Sequence, residues 1–553
     1  MHTELSAAEK TRATMEAESI QSNFSSSTGI YTSPFPSLPL LPSSPPPSLP
    51  SFLLPSLPLS SHPAFIDSAT SQTLTYSSLT SLTASISHTL THSYSIRPND
   101  IILLISPNSI LFPPLSLAVM SSGAILSTAN HLLTRRELIS QVQDSRPSLI
   151  LTTQSLYPKL LGLIPRPPVL IDHFLQTLTP SQTLTTTPNH AAALMYSSGT
   201  TGRSKGVICT HGNLIHVASA LRRIWGTRNE SGKKDVYLCV IPLFHMFGFS
   251  VFVCGAVAAG ATVVVMERYS LEGVLEAVEK WGVTRMPAVP PMVVQMVKKR
   301  EMAKKYDLRS LKEVICSGAP LAKEFRESFV DCYPAVVLSQ CYGLTETSGP
   351  ITLCDGVEGN LHHSIGRLIP SIEAKIIDVC TGESLPPNKN GELCVRGPPI
   401  MQGYLNNPEA TSLAIDEQGW LHTGDLCYID NKGLVYVVDR IKELIKYKAY
   451  QVAPVELEEI LSTHPGVEDV AVTSFPDEEA GEIPMACVVR KAGFEMQKDE
   501  LVAFMEDKVA PYKRIRKVMF VEFIPRSPSG KIIRRHLKDS DFVLQRPEIS
   551  ARL

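Results

Sequence analysis

The sequence predicts an α/β fold, with a large N-terminal domain of layered β-sheets and helices followed by a small α+β C-terminal domain. Two observations carry this prediction. From Ala64 onward, short apolar runs alternate with helical segments, which is typical of layered sheets with largely parallel strands. Near Asp439 a heavily charged run begins, and the chain after it has the length and pattern of a second, smaller unit.

The composition is that of an ordinary globular protein. The 553 residues, 43% hydrophobic and 19% charged, are enough for several hydrophobic cores. The formal net charge of −2 gives no global bias toward nucleic acids or membrane surfaces. All eleven cysteines lie from Cys209 onward without C-x-x-C or Cys/His ligand spacing. We therefore expect reduced, buried thiols in a reducing compartment and no structural zinc.

Changes in composition divide the chain into three regions. Residues 1–63 are expected to be a disordered or extended segment, polar at first and rich in Ser and Pro after residue 31. Prolines exclude a regular helix there, so the segment either runs extended over a surface or acts as a tether. Residues 64–439 would form the large domain and residues 443–553 the small one, with a hinge between Asp439 and Lys442.

Apolar runs predict the elements of both domains. In the large domain we expect buried strands at 101–105, 124–126 and 148–151, with helical segments at 114–121 and 135–144. In the small domain we expect strands at 470–473, 485–489 and 518–521 and a helix at 454–461.

The run 247–266 carries no charge and is long enough to span a bilayer. Its glycines and its β-branched tail favour a helix followed by a buried strand instead. The N-terminus also lacks the apolar core of a secretory signal. We therefore expect no membrane span.

The segment from Tyr196 to Val207 is the most informative part of the chain. It follows an apolar run and holds five Ser or Thr hydroxyls, three glycines and two cations. Glycines let the backbone approach a ligand, while exposed N–H groups and hydroxyls donate to phosphate oxygens. The spacing is not that of a Walker A loop. From composition alone, the segment could either bind nucleotide phosphates or serve as a flexible linker.

Three further segments carry polar residues that a hydrophobic core would not select. Thr345 and Glu346 follow an apolar strand and could complete the shell of a magnesium ion held on phosphates. Asp425 offers a carboxylate suited to a ribose diol, which Arg440 could join. Lys531 lies on a tight turn, where its ammonium could neutralise a carboxylate that meets a phosphate. Taken singly, each could equally be a helix cap, a surface turn or a solvated cation.

The order and spacing of these segments resemble the AMP-forming acyl- and aryl-CoA synthetases of the adenylate-forming superfamily. The resemblance covers roughly residues 64–540. Four shorter segments look like plant 4-coumarate–CoA ligases and their peroxisomal relatives, namely residues 242–245, 445–448, 451–454 and 509–513.

The resemblance implies a two-step reaction of a carboxylic acid with ATP and coenzyme A, with Mg²⁺ as cofactor. The acid attacks the α-phosphate of ATP to give an acyl-adenylate and pyrophosphate, and the coenzyme A thiol then displaces AMP. Glu346 would hold the metal ion. The residues expected to bind ATP are Ser197, Ser198, Gly199, Thr200, Thr201, Gly202, Lys205, Gly318, Ala319, Pro320, Gln340, Tyr342, Gly343, Thr345, Asp425 and Arg440.

By the same resemblance, four residues are expected to be catalytic. Lys531 would bridge the acid carboxylate and the α-phosphate, where charge develops in the transition state. His245 would lie beside the acyl carboxylate, while Lys446 and Gln451 would contact the adenylate from the small domain. Because Lys531 must withdraw before coenzyme A enters, the small, mobile domain is expected to rotate about Lys442.

The resemblance also indicates which residues determine the specificity for the acid substrate. Phe247 stands where 4-coumarate ligases usually have tyrosine, so the pocket lacks a hydrogen-bond partner for a phenol. Ser317 replaces a glycine and would narrow or re-polarise the pocket floor. We expect an acid more apolar than 4-coumarate, such as a fatty acid, a cyclopentanone-bearing jasmonate precursor or unsubstituted cinnamate. The expected substrate-binding residues are His245, Phe247, Ser317, Gly343, Pro350 and Ile351.

Lys448 and Ala449 are expected to bind coenzyme A. Ala449 stands where the family has a glycine, and at positive φ an alanine costs about 1–2 kcal/mol. Its methyl group could also slow thioester formation. Two alternatives therefore stay open: an adenylate-forming enzyme with a different acceptor, and a catalytically silent nucleotide- or acyl-binding homologue.

The last three residues, Ala551, Arg552 and Leu553, resemble the S-K-L peroxisomal address. A family with peroxisomal members strengthens this interpretation. We expect import into the peroxisome through the import receptor, with the cytoplasm as the alternative and no nucleic-acid partner.

Overall fold

The computed structural model describes residues 23–39, 47–55, 61–181, 191–197, 204–226, 234–354, 356, 359, 363–447, 450–477, 480–506, 508–509, 511–527 and 530–537. Four β-sheets organise these residues, and their strands are numbered β1 to β27 along the chain. Three sheets are built from residues before Ile441 and one from residues after it.

Two sheets have parallel centres, as expected. The nine-stranded sheet has the order β17 (Arg367–Leu368), β16 (Gly349–Leu353), β15 (Val337–Leu344), β14 (Glu313–Cys316), β13 (Arg285–Ala288), β11 (Val236–Cys239), β12 (Thr262–Val265), β3 (Pro63–Asp67) and β4 (Thr73–Thr75). The seven-stranded sheet has the order β20 (Gly403–Tyr404), β10 (Lys205–Thr210), β9 (Ala191–Ser197), β6 (Ile125–Thr128), β5 (Ile101–Ile105), β7 (Leu149–Thr152) and β8 (Val169–Leu170). Strands are antiparallel only toward the edges of these two sheets, at β4, β16 and β17 and at β10 and β20.

The third sheet is antiparallel throughout. It differs from the largely parallel strands that the sequence predicts. Its order is β1 (Asn23–Ser25), β2 (Ile30–Thr32), β18 (Glu373–Ile377), β19 (Gly391–Arg396), β21 (Leu421–Ile429) and β22 (Val435–Arg440). Most neighbours here are joined by short connections rather than by a crossover helix, so the chain can only return antiparallel.

The helices before Ile441 cover the sheets, and most share one large hydrophobic core with them, while Arg135–Ser145 and Tyr157–Leu160 pack in a smaller core. They are Leu49–Leu53, Tyr76–His92, Phe112–Ser121, Arg135–Ser145, Tyr157–Leu160, Ile171–Gln176, His211–Gly226, Met246–Gly248, Leu271–Trp281, Pro290–Lys298, Arg300–Ala303, Lys323–Cys332 and Pro408–Ala414. The charge-free run 247–266 becomes a buried π-helix at Phe249–Ala256 and then β12, which confirms the expected helix and strand. Among the described residues, no helix is long and apolar enough to cross a membrane.

The small C-terminal unit has its own sheet and core. Its strands are β23 (Ile445–Tyr447), β24 (Tyr450–Val452), β25 (Val467–Asp477), β26 (Gly481–Arg490) and β27 (Lys517–Phe520), and its helices are Pro454–Ser462, Lys498–Glu506 and Arg534–Leu537. Only a 3₁₀ turn at Ile441–Glu443 separates this sheet from β22. The expected hinge between Asp439 and Lys442 coincides with this connection, and rotation about Lys442 stays a prediction.

The described part of residues 1–63 contains more regular secondary structure than the sequence predicts. β1 and β2 extend the antiparallel sheet, and Tyr31 is buried there. Leu49–Leu53 forms a short helix whose leucines lie in the core. The exclusion of helix by prolines is wrong at this point because Pro50 occupies the first turn, where the helix needs no N–H donor.

Candidate active site

Three strands from two sheets meet at the carboxylate of Asp425. The hydroxyl of Tyr342, on β15, donates to its Oδ2 at 2.5 Å, and Nε of Arg440, on β22, lies 2.8 Å from its Oδ1. Asp425 and Arg440 are direct partners across β21 and β22. Burial and the neighbouring carboxylate raise the pKa of Tyr342, so this hydroxyl keeps its proton and serves as a donor. The arrangement joins an aromatic ring, an acceptor and a cation at one place.

An irregularity in β21 aims Asp425. The β19–β21 register shifts between Glu392 and Cys394. Thr423, Gly424 and Asp425 of β21 therefore lie opposite a stretch of β19 that is shorter than they are. Gly424 has φ +69° and donates its N–H to Oε1 of Glu392 at 3.0 Å. Only glycine adopts such a backbone without strain, and a bulge of this kind redirects the side chain that follows.

The ends of β14 and β15 form the adjoining wall. Ser317, directly after β14, donates its hydroxyl to the carbonyl of Cys341 at 2.6 Å and ties the two strand ends together. The backbone turns at Gly318, which has φ +87°. Gly318 and Pro320 are both exposed. The amide of Gln340 donates to the carbonyl of Ser364 at 3.2 Å. The start of the segment from Ser317 to Pro320 therefore contacts the residue before Tyr342, and an adenine site here stays a prediction.

Gly343 is required by packing. A Cβ at this position would lie 2.2 Å from the carbonyl oxygen of Gly349. Gly343 is also the cross-strand partner of Pro350, so these two expected substrate-binding residues are adjacent. Ile351 follows within β16, and its side chain is fully buried in the main core.

Tyr404 contacts both Glu346 and Lys205, and the sequence does not predict this residue as part of the site. The hydroxyl of Tyr404 donates to Oε1 of Glu346 at 2.9 Å, and Nζ of Lys205 lies 4.7 Å from the centre of the Tyr404 ring. The Gly-Tyr pair of β20 does not reveal this role in the sequence, and only the pairing of β20 with β10 shows it. Thr345 begins the 3₁₀ turn that presents Glu346.

The phosphate-loop candidate connects two antiparallel strands. Ser197, at the end of β9, is the direct partner of Lys205, at the start of β10. The loop therefore leaves and re-enters the sheet at one point. The remaining expected phosphate ligands, Ser198, Gly199, Thr200, Thr201 and Gly202, lie outside the described residues.

His245 caps the short helix that follows residues 242–244. Its Nδ1 accepts the N–H of Phe247 at 3.3 Å, which places the ring proton on Nε2. Burial lowers the pKa of His245, so the ring stays neutral and Nε2–H is a donor. Phe247 is partly buried against the main core. Thr128 holds the loop by donating to the carbonyl of Phe244 at 2.7 Å.

The small domain brings Lys531 to this site. Burial and then the Arg440 guanidinium lower the pKa of Lys531, and the carboxylate of Asp425 acts in the opposite direction. The preceding Gly530 has φ +80°, and a Cβ there would lie 2.9 Å from Pro291 of the large domain. Burial, Arg440 and Lys531 lower the pKa of Lys442 to about 8. The turn that carries Lys531 therefore packs against Pro291 of the large domain, and the Lys531 ammonium lies within electrostatic range of Asp425 and Arg440.

Lys446 and Gln451 lie elsewhere on the small domain. They are direct partners across the β23–β24 hairpin, and Lys446 is exposed. The backbone N–H of Lys446 donates to Oε2 of Glu482 at 2.8 Å. Lys448 and Ala449, the expected coenzyme A residues, lie outside the described residues. The roles of these four residues stay predictions.

Comparisons with known proteins identify the family of this chain. The chain matches the AMP-binding enzyme family over residues 59–405 and the AMP-binding enzyme C-terminal domain over residues 456–531. Peroxisomal OPC-8:0-CoA ligase 1 of Arabidopsis thaliana is 44% identical over 86% of this chain and 90% of its own length. The 4-coumarate–CoA ligase-like 9 protein of Arabidopsis thaliana is 43% identical over 93% of this chain and 95% of its own.

A solved structure has the same architecture. O-succinylbenzoate coenzyme A synthetase from Bacillus subtilis, in complex with ATP and magnesium ion, superposes with a TM-score of 0.78 at 27% identity. The match covers 89% of this chain and 99% of that one. The chain therefore belongs to the AMP-binding enzyme family, as an adenylate-forming acid–CoA ligase of the plant 4-coumarate–CoA ligase-like type.

Proposed function

We propose that this protein activates an apolar carboxylic acid with Mg-ATP and transfers it to coenzyme A. The observation that carries the proposal is the docking of Lys531 beside the Tyr342–Asp425–Arg440 cluster. In the first step an acid oxygen bonds to the α-phosphorus as the bond to pyrophosphate breaks. In the second step the coenzyme A sulfur bonds to the acyl carbon, AMP leaves, and the thiol proton passes to solvent.

The buried cluster is suited to the nucleoside. Asp425 would accept from the ribose hydroxyls, and its ion pair with Arg440 keeps that carboxylate oriented. The exposed segment 318–320 and the ring of Tyr342 would enclose the adenine. The ammonium of Lys531, carried next to this cluster, would then face the α-phosphate and the acid carboxylate, whose negative charges it stabilises as the bond forms.

The residues around Glu346 fit Mg²⁺. A carboxylate and the hydroxyl of Thr345 are hard oxygen donors, and Mg²⁺ is usually bound by one or two carboxylates together with phosphate oxygens. When bound, the ion neutralises phosphate charge. Tyr404 holds the Glu346 carboxylate in place, and Lys205 supplies a fixed positive charge at the base of the phosphate loop.

The acid pocket favours an apolar substrate. Phe247 presents a ring without a hydroxyl, and the Ser317 hydroxyl is already committed to the carbonyl of Cys341. Phe247 therefore cannot pair with a phenol, and the Ser317 hydroxyl cannot donate to one. A neutral His245 would donate from Nε2 to the acid carboxylate. A fatty acid, a jasmonate-precursor acid or cinnamate fits these features better than 4-coumarate does.

A panel of acids tests the proposal. We expect pyrophosphate release with a fatty acid and with cinnamate to exceed that with 4-coumarate, and thioester to form only when coenzyme A is present. Lys531→Ala should lower pyrophosphate release by about 100-fold or more. Lys491→Ala, a change at an exposed lysine of the same domain, should leave it unchanged.

The panel also shows which part of the proposal would fail. Full activity of Lys531→Ala would overturn the mechanism. Preference for 4-coumarate would overturn the interpretation of Phe247. Pyrophosphate release without thioester would point to another acceptor or to a block at Ala449, and recovery of thioester in Ala449→Gly would identify the block.

We further propose that the protein works in the peroxisome. The support is the C-terminal tripeptide, Ala551 to Leu553, together with the peroxisomal relative. An N-terminal fluorescent fusion should co-localise with a peroxisomal marker, and deletion of Leu553 should disperse it. Unchanged localisation after the deletion would contradict this proposal.

A further inference from the structure

A second cluster of ligating side chains lies on the antiparallel sheet, next to the Asp425 strand. Cys394 on β19 and His422 on β21 are direct cross-strand partners. Glu392 precedes Cys394 by two residues on β19, so all three side chains project from the same face of the sheet. No role in the proposed ligase reaction uses any of the three.

Their ligand atoms are already at distances suited to one metal ion. Nδ1 of His422 lies 3.0 Å from Oε2 of Glu392 and 3.5 Å from Sγ of Cys394, and all three atoms lie within 4.8 Å of one another. A tetrahedral ion with bonds of about 2.0–2.3 Å places its ligand atoms about 3.3–3.6 Å apart. Binding would therefore need side-chain adjustments only.

Groups outside the cluster orient two of the three ligands. Oε1 of Glu392 accepts the N–H of Gly424 at 3.0 Å, which leaves Oε2 facing His422. Oδ2 of Asp416 lies 3.7 Å from Nε2 of His422. This distance is too long for a direct hydrogen bond. A small shift of either side chain would let Nε2–H donate to Asp416 and leave the Nδ1 lone pair for a metal, the usual arrangement of zinc-bound histidine.

Hydrogen bonding alone explains the close approach of these three side chains less well than a bound metal ion does. One ring nitrogen cannot both donate to the Glu392 carboxylate and accept from the Cys394 thiol. A metal ion would bond to all three atoms at once. Two carboxylates, Glu392 and Asp416, and one lysine, Lys375, lie near the Cys394 thiol, so a divalent cation would balance the negative charge that the thiol acquires when it loses its proton on binding.

The site also has a route for an ion. His422 and Glu392 keep some exposure, 30% and 17% of their side chains. Glu392 and Gly424 line an open cavity of about 530 Å³ next to the hinge residue Lys442. This cavity leaves room for water as a fourth ligand.

We propose that Glu392, Cys394 and His422 bind one zinc-class divalent ion that ties β19 to β21. Thiolate and imidazole together select this class of metal over Mg²⁺ or Ca²⁺. As the metal–sulfur bond forms, the thiol proton leaves to solvent. The proposal does not depend on the ligase activity, and it replaces the expectation of no structural zinc, since strand pairing rather than sequence spacing assembles the ligands.

Cobalt is the probe. The full-length protein, stripped with a chelator and kept reduced, is titrated with Co²⁺ alone while the thiolate-to-cobalt charge-transfer absorption is measured. We expect saturation at one equivalent and loss of the band in Cys394→Ala and in His422→Gln. Glu392→Gln and Asp416→Asn should weaken affinity about 10-fold or more. Cys380→Ala, at an exposed cysteine near the same cavity, should keep the band.

Stability gives a second readout. Zn²⁺ should raise the melting temperature of the wild type and of Cys380→Ala, and it should leave that of His422→Gln unchanged. Because His422 is partly exposed, His422→Gln tests the site even if Cys394→Ala does not fold. The proposal is overturned if no band forms at one equivalent, if the band survives in both Cys394→Ala and His422→Gln, or if Cys380→Ala abolishes it.

Discussion

At the scale of single residues, the chemistry of the site depends on a few side chains whose surroundings fix their state. His245 is neutral because it is buried, and its proton is on Nε2 because Nδ1 accepts a backbone N–H. Asp425 stays oriented because Arg440 and Tyr342 occupy its two oxygens. Tyr404 was not predicted, since nothing in its local sequence shows that its hydroxyl reaches Glu346.

Phe247 should set the preference against phenolic acids. In Phe247→Tyr the new hydroxyl can pair with a phenol, so the ratio of kcat/KM for 4-coumarate to that for cinnamate should rise about 10-fold or more. Phe244→Tyr, a change at a partly buried phenylalanine three residues earlier, is the matched control and should leave the ratio unchanged. An unaltered ratio in Phe247→Tyr would remove Phe247 from the pocket. Steady-state kinetics with both acids gives the result.

At the scale of elements, the irregularity in β21, an interior strand, is the feature that orients Asp425 toward its partners. Alternation along the strand accounts for the burial of Leu421, Thr423 and Asp425 on one face. The register shift against β19, with Gly424 at positive φ, could not be predicted because it depends on the partner strand.

Gly424→Ala should separate this local geometry from general stability. A Cβ at Gly424 has open space around it, so the cost is only that of positive φ, about 1–2 kcal/mol. If the backbone relaxes, Asp425 shifts and the KM for ATP rises several-fold. Gly493→Ala is the control, because Gly493 has φ +76° and equally open space but lies in the small domain. Equal KM values in both variants would contradict the role given to the bulge.

Asp439, at the end of β22, should show a defined pH dependence. Burial raises the pKa of this carboxyl from 3.8 to about 6. Between these values the folded state binds more protons than the unfolded state, so this group lowers stability as pH rises from about 4 to about 6. The melting temperature of Asp439→Asn relative to wild type should therefore increase over that window. A difference that stays constant or falls would contradict the assignment.

At the scale of the whole molecule, one ion-pair network connects the turn that carries Lys531 to the hinge. Arg534, three residues after Lys531, donates to Glu443 in the hinge turn, to Glu458 at 2.7 Å and to the carbonyl of Val472 at 2.9 Å. Asp439 of the large domain accepts the N–H of Val455 at 3.0 Å. These contacts join the hinge, the helix Pro454–Ser462 and the catalytic turn.

Arg534 should act as a positioning residue for the first half-reaction only. Arg534→Met removes the ion pairs while keeping much of the side-chain volume, and we expect pyrophosphate release to fall about 10- to 100-fold. Thioester formation from supplied acyl-adenylate should change little, because Lys531 is not needed there. Arg514→Met, which removes a more exposed pair with Glu506 in the same domain, is the control. Equal losses in both half-reactions would indicate general destabilisation instead.

The sequence by itself determined the family, the two-domain α/β organisation and most of the residues that meet at the site, because apolar periodicity and the order of polar segments are written along the chain. The tertiary structure decided which side chains touch. The antiparallel third sheet, Tyr404 beside Glu346, the bulge at Gly424 and the Glu392–Cys394–His422 cluster all arise from strand pairing between segments distant in the chain. Such pairing is selected by the packing energy of the whole core, to which no local sequence pattern corresponds.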